Sequence, residues 1–125
     1  MRSATLALGL TLTIMAGAVQ AQSPMTLEAF VNRANRIPLN PTAMLMPDAH
    51  RLKTEAERAF VTVRGEIREA RAAGRTLLAC PPERISLDAR QFLGFLNAIP
   101  QSRRQRMTVA DGVREWFRAQ HPCPA

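Results

Sequence analysis

The sequence predicts an all-α protein, a small helical bundle of about four main helices tied by one disulfide. Three observations carry that prediction. Apolar residues recur at helical spacing through most of the 125-residue chain, and no stretch sustains an apolar-polar alternation. Tyr is absent, and the β-branched residues are scattered rather than gathered into strand-like runs. Prolines and capping residues fall at intervals that suit short helices.

The first twenty-one residues stand apart from that bundle. Arg2 supplies a short positive region, and residues 4–19 carry no charge and are rich in Ala, Leu, Thr and Gly. Ala18-Val19-Gln20-Ala21 closes the run, with Val19 and Ala21 at the positions a signal peptidase reads. This is the pattern of a cleavable secretory signal peptide over 1–21, cut before Gln22. A spanning anchor needs about 20 predominantly apolar residues, whereas this run is shorter, interrupted by Thr and Gly, and lacks a basic flank after it. No cysteine lies near the cut to take a lipid. The expected mature protein is one helical domain over 22–125, located in the periplasm, with no transmembrane segment. Arg2 is the only charged residue removed, so the net charge falls from +7 to +6. Residues 22–25 read as disordered.

Thr26 caps a first helix whose apolar positions are Leu27, Phe30, Val31 and Ala34; it should stop before Pro38. Asn40-Pro41 reads as a cap with proline in the first turn, opening a short helical piece through Met44 and Leu45. The longest helix follows Pro47-Asp48. Leu52, Ala56, Ala59, Phe60, Val63, Ile67 and Ala70 step by three or four residues and trace its apolar stripe. The opposite face is charged from Arg51 to Arg71, with local support expected for Glu55 with Arg58 and for Glu57 with the neighbourhood of Arg64. Gly74 ends this helix, and Pro81-Pro82 keeps the connector after it from being helical. Ser86 is read as the next cap, with Asp88 in the first turn and a core face of Ala89, Phe92, Leu93, Leu96 and Ile99, widened by Phe95. Pro100 interrupts before a short basic piece, 101–106. Thr108-x-x-Asp111 is a capping signal for the last helix, buried along Val109, Val113, Trp116 and Phe117.

Cys80 and Cys123 both survive signal cleavage. An even pair in an oxidising compartment is read first as a disulfide. A zinc site and a reactive thiol are the alternatives; His121 lies near Cys123 but brings no third or fourth ligand. Trp116 is expected to pack on the long helix and shield the disulfide. Met44, Met46 and Met107 read as core filler.

The residues offer no catalytic set. His50 and His121 lie at helix ends outside any recognised motif, and Ser23, Ser86 and Ser102 lack a nucleophile-elbow context. The carboxylates are spread along helix faces. There is no phosphate-cradling glycine loop and no metal-ligand spacing, so neither cofactor nor metal is expected. The basic excess raises nucleic acid as a partner, but Arg103-Arg104-Gln105-Arg106 is the only tight cluster and has no aromatic platform beside it. Export also argues against nucleic acid. The cluster reads as a solvated face or as a docking patch for an acidic partner or anionic surface.

From Gly74 to Pro124 the order of features is distinctive. Cys80-Pro81-Pro82 precedes a helix carrying Phe92, Leu93 and Leu96; Ile99-Pro100 breaks it; a basic turn with Met107 follows; and a last helix ends in His121-Pro122-Cys123-Pro124. This segment resembles the C-terminal half of the Rap/Tai-type immunity proteins of type VI secretion. The N-terminal half carries a long charged helix in place of that family's first-helix cysteine, with Phe30-Val31-Asn32-Arg33 at the position, and of its Gly-Tyr-Ile element. The resemblance implies an exported, non-enzymatic protein that neutralises an effector toxin in the periplasm, with a homodimer as its implied assembly. Arg64, Arg68 and Arg71 on the long helix and Arg103, Arg104 and Arg106 in the basic turn are the candidate partner-binding residues. A structural or chaperone-like envelope protein is the alternative, and a small enzyme using His50 or His121 the third.

Overall fold

The computed structural model describes residues 24–125. The signal peptide read over 1–21 and Ser23 lie outside them. Five helices follow in order: α1 (Leu27–Ala34), α2 (Pro47–Ala72), α3 (Ala89–Ala98), α4 (Gln101–Arg104) and α5 (Val109–Gln120), with a 3-10 helix at Pro41–Leu45 between the first two. Among the described residues there is no strand, only an isolated bridge between Thr26 and Thr108. The all-α bundle is therefore the fold, and four of its helices run eight residues or longer.

The caps explain where the helices begin and end. Thr26 accepts the Ala29 N–H at 3.1 Å, which satisfies one of the orphan donors of α1. The same region meets the far end of the chain: the Leu27 N–H donates to the Met107 carbonyl at 2.8 Å. Just before it, Met25 is half-buried against the core, at the end of the stretch read from sequence as disordered. Asn40 caps the 3-10 helix, accepting the Thr42 N–H at 2.9 Å. Gly74 takes φ 67°, and the Arg75 N–H reaches back to the Ala70 carbonyl at 2.8 Å. That left-handed residue and its 6→1 bond close α2 in a Schellman motif, which a side chain at position 74 would strain. Thr108 and Asp111 form the reciprocal capping box expected for α5.

One cap differs from expectation. Asp88, not Ser86, caps α3: its Oδ1 accepts the N–H groups of Arg90 and Gln91 at 2.8 and 3.3 Å. Asp88 sits four residues before Phe92, so a helix starting at Ala89 turns Phe92 and Leu96 inward. A start at Ser86 would place the exposed Leu87 and Ala89 inside the first turn with no apolar partner.

The core is one cluster. Leu27, Val31, Val63, Leu96, Val113 and Phe117 are its largest fully buried side chains, each contributing about 2 kcal/mol of apolar burial. At its centre Phe60 of α2 lies 5.4–5.6 Å, ring to ring, from Phe92, Trp116 and Phe117. These tilted and edge-on contacts join α2, α3 and α5 in the geometry that aromatic quadrupoles favour. Gly112 is buried where α5 crosses Leu27 and Leu96; a Cβ there would lie 2.9–3.1 Å from their methyl carbons.

Cys80 and Cys123 are joined in a disulfide, with Cα atoms 4.8 Å apart. The Cys80 N–H also donates to the His121 carbonyl at 2.8 Å, so the connector after α2 is pinned to the end of α5 twice. Trp116 packs against α2 as expected, but it does not cover the disulfide: Cys123 is exposed and Cys80 half-buried. Prolines stand on either side of Cys123, and the tail from Pro122 on is exposed. Among the methionines, Met107 packs on the core, whereas Met44 is 62% exposed. No helix among the described residues is long and apolar enough to cross a membrane.

Candidate partner-binding surface

Six arginines are candidates from sequence, and the fold separates them. Arg64, Arg68 and Arg71 share one face of α2 because they stand four and three residues apart. The disulfide holds the connector beside that face, so Pro81, Pro82 and Glu83 form the facing wall of a groove of about 360 Å³ with Ile67 among its lining residues. Arg64 Nη1 donates to the Glu83 carbonyl at 2.9 Å and fixes the wall to the helix. Arg68 and Arg71 are exposed and make no ion pair among the described residues. Glu57, whose support is expected near Arg64, meets Lys53 on the other side at 3.6 Å. Glu55 and Arg58 do pair, at 3.2 Å.

The basic turn behaves differently. Arg104 is drawn inside, its side chain 12% exposed, with Nε 2.7 Å from Glu28 Oε2 on α1. Its Nη1 also reaches the Asn97 carbonyl at 3.2 Å, so one guanidinium binds α1, α3 and α4 together. Arg103 pairs with Glu115 of α5. Arg106 is exposed and without an ion pair among the described residues. Of the basic turn, Arg106 is thus the residue left to solvent, and α4 packs on α1 rather than extending the α2 groove.

A second network escapes sequence reasoning. Arg114 of α5 reaches Glu66 of α2 at 2.5 and 2.9 Å and Asp111 at 2.7 Å. The hydrogen bond from Arg114, outweighing burial, holds the Glu66 carboxyl below the usual carboxylate range. The Thr108 backbone N–H, with further help from the Thr108 hydroxyl and Arg114, lowers that of Asp111, and Glu66 in turn raises Arg114. This network links the capping box to the long helix. The spacing of Asp111 and Arg114 on one helix is visible in the sequence; their connection to Glu66 requires the tertiary fold.

A separate cavity of about 310 Å³ gathers Ser86, Asp88 and His121, together with Gln91, Trp116 and others. The three residue types invite a hydrolytic reading, but no hydrogen bond joins any two of them. Asp88 is engaged as the α3 cap, and the His121 ring stacks edge-on against Trp116 at 5.7 Å. His50 is likewise held, with Nε2 2.7 Å from the Met44 carbonyl. Among the described residues no cluster of His, Cys, Asp and Glu has the make-up of a metal site. No protein-family model, curated protein or solved structure matches this chain.

Proposed function

We propose that this chain is an exported, non-enzymatic binding protein that holds a partner protein at the α2 groove, in the manner of an immunity protein that neutralises a toxin in the periplasm. The observation that carries the binding reading is the assembly of Arg64, Arg68 and Arg71 along one groove, with two of the three guanidiniums unpaired. A disulfide at the rim supports an oxidising compartment, in keeping with the signal peptide read in the first residues. The immunity reading draws further on the resemblance of 74–124 to the Rap/Tai-type proteins.

The test is co-expression with toxins encoded beside the gene. Rescue of growth, together with a complex that co-purifies from periplasm, is the expected result. Failure of both rescue and complex formation refutes the immunity reading. A second reading, holding of unfolded exported chains, draws on the exposed Leu39, Met44 and Leu45 around the 3-10 helix, the last of them 82% exposed. It predicts weak binding to many unfolded clients and none to a single folded toxin.

A further inference from the structure

We infer that the α2 groove recognises an extended acidic segment of the partner, with carboxylates on alternate residues lying along Arg64, Arg68 and Arg71. The inference rests on the binding reading above and names the chemistry that the groove selects.

Helix geometry sets the spacing. At 1.5 Å per residue, Arg64 and Arg68 are about 6 Å apart along the axis and Arg71 about 4.5 Å further on. An extended chain rises about 3.3 Å per residue and sends alternate side chains to the same side, so its same-side carboxylates stand about 6.6 Å apart. Two carboxylates two residues apart in sequence therefore meet Arg64 and Arg68 nearly in register, and the next same-side position, about 3 Å beyond Arg71 along the axis, is within reach of its long side chain. Each guanidinium is a planar fork suited to a carboxylate, and Arg64 keeps donors beyond the one given to Glu83.

The opposite wall narrows the choice. Pro81 and Pro82 have no backbone N–H, so they offer a strand-like ligand no main-chain donors and leave recognition to side chains. The groove volume suits a few residues of a single chain. Glu83 lines it too, with its carboxylate outside any ion pair among the described residues. A uniformly anionic bilayer would have to face that carboxylate, whereas a peptide can place an uncharged residue there. One more feature lies on the same stripe. Val61 stands three residues before Arg64, is 72% exposed, and serves no packing role in the fold. With 3.6 residues per turn, Val61, Arg64, Arg68 and Arg71 fall within an arc of about 80°. Val61 lies outside the groove lining, at the edge of the same arc, and offers an exposed apolar position for an apolar residue beside the acidic ones.

Fluorescence anisotropy with labelled octapeptides tests this. The probes are a peptide alternating Glu with Ser, the same peptide with Lys for Glu, and phosphatidylglycerol vesicles measured separately by co-sedimentation. The Glu peptide is expected to bind and the Lys peptide not. Arg68→Glu and Arg71→Glu should each weaken binding about tenfold, and added salt should weaken it further. Arg36→Glu makes the same charge change on an exposed residue away from the groove and should leave affinity within about twofold. Thermal melts check that all three variants stay folded. Absence of peptide binding, an equal loss in Arg36→Glu, or capture by vesicles alone overturns the inference. If the peptide fails while a co-expressed toxin is still held, the binding reading stands and only the acidic segment is refuted. If the peptide binds and no toxin is ever held, the groove chemistry stands and the immunity reading falls.

Discussion

Replacing Cys80 and Cys123 together with Ser opens the covalent loop that ties the connector after α2 to the end of α5. The bond joins residues 43 apart in sequence. In the chain-entropy relation a ring of that size restricts the unfolded chain by about 4 kcal/mol at 25 °C. The native state changes little by comparison. Cys123 is exposed, neither cysteine belongs to the buried core, and the hydrogen bond from Cys80 to His121 survives the substitution. The loss therefore acts through the denatured ensemble. For a domain near 100 residues, 4 kcal/mol corresponds to a fall in Tm of about 15–30 °C. Thermal and urea unfolding followed by far-UV circular dichroism measure it, with the native spectrum expected to be unchanged. The urea m-value should rise, because the uncrosslinked unfolded chain exposes more surface. The wild-type chain with reductant should reproduce both effects. A Tm drop under about 5 °C, or an unchanged m-value with an altered native spectrum, refutes the entropic account and places the stabilisation in native packing.

Arg104→Ala should destabilise the fold by about 3 kcal/mol, because it leaves the largely buried Glu28 carboxylate without its cation. Adding Glu28→Gln should recover part of that loss in a double-mutant cycle read by urea unfolding. Gly112→Ala gains about 1 kcal/mol of helix propensity but crowds the fully buried Leu27 and Leu96. With overpacking costing about 1–3 kcal/mol, a net loss is expected in the same assay. Acid should also loosen the α2–α5 join. Glu66 and Asp111 have carboxyls lowered in the fold from ordinary values of 4.5 and 3.8, so the unfolded chain takes up protons first as pH falls. Their contribution is complete above those ordinary values and is lost as pH drops through the lowered ones. Stability measured from pH 6 down should fall over that acid window, and Glu66→Gln should flatten the fall; an unchanged slope in Glu66→Gln counts against the network. Both side chains are more than two-fifths exposed, so solvent screening keeps the effect small.

The fold was legible where a local signal and a buried face agreed. Thr26, Asn40, Gly74 and the Thr108–Asp111 pair each mark a boundary through their own backbone needs, and each boundary holds. The stripes through Leu27, Val63 and Val113 are periodic because the core is on one side of each helix. Ser86 misled because serine and aspartate are both good caps and stand two residues apart. Which one acts depends on how far Phe92 must turn to reach Phe60 and Trp116, and that distance is set by other helices. Met25 and Met44 show the same limit from opposite sides. Met25, just before α1, packs partly against the core, and a methionine inside a helical piece is left in solvent.

The arginines make the point for the site. In the sequence Arg68, Arg104 and Arg114 are alike, each a helical cation with nothing beside it to say which distant carboxylate it meets. In the fold Arg104 closes on Glu28 and Arg114 on Glu66, while Arg68 and Arg71 face a wall supplied by Pro81 and Pro82. The difference lies in where carboxylates happen to be. Glu69, Glu83 and Asp88 are the only acidic side chains without an ion pair among the described residues. Asp88 is engaged as a cap, and Glu83 gives the groove its backbone carbonyl through Arg64. With the other carboxylates committed to internal pairs or a cap, Glu69 on α2 and Glu83 in the groove wall are the two left near this face, and neither pairs with Arg68 or Arg71. An outside carboxylate meets two unpaired guanidiniums in a groove that the disulfide holds in shape.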